Sequence, residues 1–137
     1  YERVKKLKKD FNDLEIIING GIKDYYCKKN DFSDLDGIMI GREAYSYPRK
    51  LENVDSFFFG KKDKRISLTN ITNNMFEYFE TLDNKKDIQR GLIHMHGLYS
   101  GLKNARKIRV LLSNSNYFMP AKNEIIDLLN DDFKNVA

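Results

Sequence analysis

The sequence predicts a short parallel α/β segment followed by an all-helical segment, so that the 137-residue chain is mostly helical. Two apolar runs, Ile16-Ile17-Ile18 and Ile38-Met39-Ile40, each stop at glycine, in Asn19-Gly20-Gly21 and Gly41-Arg42. The interval between them is long enough for the crossover that parallel strands require. Beyond residue 65 the strand signals cease, and apolar residues recur at helical spacing to the end.

Composition sets outer bounds. Lys and Arg total 24 against 20 for Asp and Glu, a formal charge of +4. That mild excess permits a polyanionic partner without requiring one, because clustering on a face matters more than the sum. The single cysteine, Cys27, excludes an internal disulfide and a cysteine-rich zinc site. No apolar run approaches the roughly 20 residues that span a bilayer. A soluble intracellular protein is expected, cytoplasmic with an organellar site left open.

Residues 1–11 repeat Val4, Leu7 and Phe11 among lysines, the spacing of an amphipathic helix with a solvated lysine face. The two apolar runs read as strands covered on both faces, since such strands lack alternation. Glycines at their carboxyl ends let backbone amides approach a ligand, because no Cβ intervenes and positive φ costs little. Those amides and the start of the following helix suit a phosphate, and Arg42 adds a forked cationic donor. The alternative for Arg42 is an ion pair with Glu43 or Asp36. Residues 23–36, with Tyr25, Tyr26, Cys27, Phe32 and Leu35, are expected as a short crossover helix. One helical turn is expected at 43–47, stopped by Pro48, then a helix at 49–54. SFFFGKKDKR, residues 56–65, reads as an apolar anchor followed by a solvated link.

Ser67 is a candidate N-cap for a helix with Ile71, Met75, Tyr78, Phe79 and Leu82 on one stripe. Asp83-Asn84 closes it, and a second helix starts near Lys86 with Ile88, Leu92, Met95 and Tyr99 on its apolar face. A third is expected over 102–113, and a fourth from Pro120, suited to a helix's first position, to about Asn130. Four antiparallel helices with short links make a small bundle. At about 100° per residue, Ala105, Ile108, Leu111 and Leu112 gather on one side of the third helix, with Lys103, Arg106, Lys107 and Arg109 opposite. Arg90 and His94 lie one turn apart on the second helix, off its apolar stripe. This basic surface reads either as a phosphate grip or as an ordinary solvated face. His94 and His96 are two apart and point about 200° from each other on a helix, so no metal site is expected. No nucleophile–base pair stands out.

At the glycine turns the sequence resembles a known family. NGGI at residues 19–22, LDGIMIGREAY at 35–45, Pro48 and Val54-Asp55 look like the last two β/α units of the tRNA-dihydrouridine synthases, nearest the bacterial A-type subfamily. His94, Gly97-Leu98, Gly101, Ala105-Arg106, Arg109 and Leu112-Ser113 resemble the same family's carboxyl-terminal helical domain, which docks tRNA. Ile93 and Lys103-Asn104 depart from the pattern, where an arginine and a Pro-Gly are common. The resemblance implies that residues 1–55 are the incomplete end of an FMN-binding TIM (β/α)8 barrel, 56–65 a linker and 66–137 a tRNA-binding helical domain. It implies FMN-phosphate contacts at Asn19, Gly20, Gly21, Gly41 and Arg42. It makes Arg106 and Arg109 the first RNA candidates, with His94 also on a matched position and Arg90, Lys103 and Lys107 added from the helix faces. The activity implied for the parent protein is NADPH-dependent reduction of tRNA uridine to dihydrouridine. The family's general-acid cysteine lies on an earlier loop, so Cys27 reads as a half-buried structural thiol and no catalytic residue is assigned here. The chain is expected to be inactive alone, its strands covered by the missing barrel portion or by another copy. A non-catalytic RNA-binding module and another phosphate-binding barrel flavoenzyme are the alternatives.

Overall fold

A computed structural model describes residues 1–62, 67–114 and 118–134. The chain divides into two compact units, Tyr1–Asp63 and Lys64–Ala137.

In the first unit, helix α1 (Glu2–Asp10) precedes strand β1 (Ile17–Asn19), the single helical turn α2 (Cys27–Asn30), strand β2 (Gly37–Met39) and helix α3 (Arg42–Ser46). A 3-10 turn, Pro48–Leu51, then leads to α4 (Val54–Phe59). The strands are parallel, with Ile17 opposite Gly37, Ile18 opposite Ile38 and Asn19 opposite Met39. Ile18, Ile22, Phe32 and Leu35 form the core, and Val4, Ile16, Cys27, Ile38 and Ile40 pack against it. Side chains alternate across a strand. Ile16, Ile18, Ile38 and Ile40 therefore share the packed face, while Ile17 and Met39 stand 56% and 46% exposed on the other. Among the described residues one face of the sheet is covered, and the expectation that the rest of a barrel or another copy covers the other concerns residues outside this chain. Gly37 leaves room for Ile17, whose Cγ1 lies 3.2 Å from where a Cβ would stand.

Two expectations change. Leu7 and Phe11 of the first apolar stripe are exposed, and only Val4 of that stripe packs on the core. What anchors α1 is Lys8, whose ammonium reaches the Asn12 carbonyl (2.9 Å), the Leu14 carbonyl (2.8 Å) and the Asp36 carboxylate (2.9 Å). The helix expected at 49–54 lies later, because Pro48 starts a tighter 3-10 turn and the α-helix begins at Val54. The expected link at 56–65 thus starts as helix, with Tyr25, Tyr26, Phe57 and Phe58 in ring contact and Gly60 ending α4 at φ 62°. Residues 63–65 of that link, with residues 66, 115–117 and 135–137, lie outside the described residues.

The second unit contains α5 (Leu68–Glu80), α6 (Lys85–His94), a 3-10 turn (Met95–Tyr99), α7 (Ala105–Leu112) and α8 (Phe118–Lys134). Ser67 Oγ accepts the Asn70 amide and Asn84 Oδ1 accepts that of Lys86, satisfying donors at the starts of α5 and α6. Pro120 is third in α8 rather than first, where its missing N–H still falls among those with no intrahelical partner. The third helix starts at Ala105 rather than 102, after Gly101 at φ 84°. Phe76, Phe79, Leu92, Met95, Tyr99, Ile108, Leu112, Ile125 and Leu129 fill the core.

The face of α5 is rotated from the expected stripe. Leu68, Thr72, Phe76 and Phe79 are buried, whereas Tyr78 is exposed. Thr72 is tolerated inside because its hydroxyl lies 2.8 Å from both the Leu68 carbonyl and the Tyr99 hydroxyl. One proton cannot serve both, so Thr72 donates to the carbonyl and Tyr99 donates to Thr72. Burial pushes the Tyr99 phenol up to about 12 against the opposing pull of this bond.

Candidate functional site

The NGG turn leaves β1 in a conformation that side chains resist. Gly20 has φ 139° and Gly21 φ 66°, both in the region that favours glycine. The Tyr1 hydroxyl donates to the Gly20 carbonyl. Gly41, after β2, differs: its φ is −96°, so positive φ does not explain it, and a Cβ there would meet only the flexible end of Met39 at 3.4 Å. Parallel pairing ends with Asn19 opposite Met39, which brings the two turns to the same end of the sheet. Asn19, Gly20, Gly21, Gly41 and Arg42 line one pocket of about 630 Å³, together with Ile22, Lys23, Met39 and Glu43.

The charges around this pocket are unequally engaged. Glu43 pairs with Lys50. Asp36, which precedes β2 and so lies at the end of the sheet away from the pocket, accepts the Ile16 amide at 2.7 Å and pairs with Lys8, and these two contacts hold its carboxyl below the ordinary range. Of the two acids weighed for Arg42 in the sequence, Glu43 is thus paired with Lys50, and Asp36 stands at the far end of the strand from it. Arg42 is exposed and makes no ion pair or hydrogen bond among the described residues. An unpaired guanidinium beside two glycine turns fits an oxyanion, since it offers five donors in a planar fork. Helix α3 has only five residues and adds little dipole.

Cys27 is half-buried and its thiol donates to the Asp24 carbonyl at 2.8 Å. Burial first, then Asp31 and Asp24, push its pKa up, away from a reactive thiolate.

In the second unit α7 turns Ala105, Ile108 and Leu112 inward, while Lys103, Arg106, Lys107 and Arg109 are exposed. Helix α6 packs against α7 and carries exposed Arg90 and His94. Arg90 lies 3.4 Å from Asp87 in a solvated i,i+3 pair, worth little. His96, weighed in the sequence only for metal, is half-buried on the 3-10 turn. Burial, then the Arg109 charge, hold its pKa low. Among the described residues no group of three His, Cys, Asp or Glu side chains is placed to hold a metal ion. No described helix is long and apolar enough to cross a membrane.

A family model of dihydrouridine synthases matches residues 1–133. The chain belongs to the dihydrouridine synthase family. Among its curated relatives, the tRNA-dihydrouridine(20/20a) synthase of Vibrio vulnificus is 39% identical over 116 residues, covering 84% of this chain and 36% of that protein. Proteins of the same name are 36% identical over 128 residues in Haemophilus ducreyi, covering 93% and 40%, and 38% over 114 in Pseudomonas aeruginosa, covering 82% and 34%. The chain thus spans little more than a third of the length of these relatives. Within this dihydrouridine synthase segment, sequence reasoning missed Lys23 and Glu43 as pocket residues. The available signal was position: one follows the NGGI turn directly and the other follows Arg42.

Proposed function

We propose that this chain is the carboxyl-terminal part of a cytoplasmic, flavin-dependent tRNA-dihydrouridine synthase. It supplies the phosphate end of the flavin site and a surface for docking tRNA. The observation that supports this best is the convergence of Asn19-Gly20-Gly21 and Gly41-Arg42 on one pocket, with Glu43 of that pocket paired with Lys50. In this reading residues 1–55 are the last two β/α units of a TIM barrel and 66–137 a helical bundle that meets the RNA.

The backbone of Gly20, Gly21 and Gly41 and the Asn19 amide would surround the FMN phosphate while Arg42 balances its charge. When bound, the flavin supplies the two-electron reduction that saturates a tRNA uridine at the expense of NADPH. Arg106 and Arg109, with His94, Arg90, Lys103 and Lys107 around them, would hold tRNA phosphates and so position the uridine. No residue of this chain is assigned to proton transfer, and the chain alone is inactive in the proposal. The remaining barrel, or a second copy, completes the sheet.

Equilibrium dialysis against FMN and riboflavin tests the site. FMN is retained in preference to riboflavin, and Arg42→Met weakens FMN roughly tenfold or more, the scale of a lost charge-assisted hydrogen bond. Equal retention of both flavins by the unaltered chain refutes the phosphate site. NADPH-dependent reduction of tRNA by this chain alone refutes the division of labour.

A further inference from the structure

From the unequal pairing of charges around the pocket, we infer that Lys23 is a second cation of the phosphate cradle, acting together with Arg42. The inference rests on the proposed phosphate site and adds a residue to it. Lys23 lines the pocket with Asn19, Gly20, Gly21, Gly41 and Arg42. It is exposed, and it makes no ion pair or hydrogen bond among the described residues.

The acids nearby do not neutralise it. Asp24, its sequence neighbour, accepts the Tyr26 amide at 2.8 Å, and its charge also acts on Lys50. Glu43, on the same pocket wall, is paired with Lys50. Glu43 is therefore balanced by Lys50 and Asp24 makes no ion pair with Lys23, while two cations, Lys23 and Arg42, line the same pocket without partners among the described residues. A phosphate monoester carries a charge of nearly −2 at neutral pH. Arg42 alone leaves about half of that charge uncompensated, and Lys23 supplies the remainder. The two play different parts: the guanidinium fixes direction through its planar fork, whereas an ammonium on a flexible stem acts as a movable point charge.

The test titrates the full chain and its Lys23→Met, Lys23→Arg and Arg42→Met variants with FMN and with riboflavin, following flavin fluorescence. Lys23 is exposed, so circular dichroism should show unchanged folding. Lys23→Met is expected to weaken FMN about three- to fivefold at low ionic strength, with a smaller loss at about 0.5 M salt, as suits a solvated charge pair. Lys23→Arg retains most of the affinity, and riboflavin binding does not change in either variant. If Lys23→Met binds FMN like the unaltered chain while Arg42→Met does not, Lys23 is outside the cradle and the phosphate site stands. If the unaltered chain does not favour FMN over riboflavin, the site and the inference fall together.

Discussion

Gly91 sits inside α6, where glycine is unfavourable by roughly 1 kcal/mol relative to alanine. Its reason is Phe79. A Cβ at residue 91 would lie 2.3 Å from Phe79 Cε1 and 2.7 Å from Cζ, both far inside contact distance. The Phe79 ring is only 1% exposed and packs beside Phe76 at a centroid distance of 6.2 Å, so it has no open space to swing into. Gly91→Ala thus exchanges a helix gain of about 1 kcal/mol for overpacking that costs about 1–3 kcal/mol in a dense core. The clash is severe, so the upper end applies and a net loss near 2 kcal/mol is expected. Urea unfolding followed by circular dichroism measures it, and hydrogen exchange in peptides from α5 and α6 assigns it to this unit. Phe79→Leu should remove most of the Gly91→Ala penalty in the double variant, because the offending ring atoms are gone. A Gly91→Ala protein as stable as its parent, or a penalty unchanged in the Phe79→Leu background, would refute the reasoning.

Thr72→Val keeps the shape but leaves the Tyr99 hydroxyl buried without its acceptor, and should cost about 1–3 kcal/mol. Tyr99→Phe leaves Thr72 bonded to the Leu68 carbonyl and should cost less; the reverse order in urea melts would overturn the assigned donor directions. Changing Arg106 and Arg109 together to alanine should lower the salt slope of log tRNA affinity by about 1.5, read by filter binding at several salt concentrations. An unchanged slope would remove both from the phosphate contacts. Asp36→Asn should weaken the first unit at pH 7. The folded pKa of Asp36 is depressed, so its stabilisation is present above the unfolded carboxylate pKa and is lost as pH falls through the folded value. The difference between parent and variant in urea midpoint should therefore shrink as pH falls below the ordinary carboxylate range, and a difference that grows in acid would contradict that sign.

Local signals made part of this molecule legible. An apolar run cut by glycine is readable because both the strand and its stop are set by neighbouring residues, and the meeting of the two turns then follows from parallel pairing. Ser67 as a cap, and the division of α7 into Ile108 and Leu112 against Arg106 and Arg109, needed only the helical period. What escaped was decided by partners distant in sequence. Thr72 reads as polar until Tyr99 is placed beside it, so the stripe of α5 was drawn through Tyr78 instead of Phe76. The continuous run at Ile17 does not tell which of its faces the residues of this chain cover. Lys23 carries no motif of its own, and only the turn before it explains why it lines the pocket.

The sheet consists of two strands with three paired residues each, and among the described residues neither strand has a neighbour on its outer side. Open main-chain edges are templates for further strands, a hazard that closed barrels abolish. Handling of this polypeptide by itself should therefore turn on concentration: dilute stocks, or a soluble carrier joined at an end, limit pairing between copies at those edges.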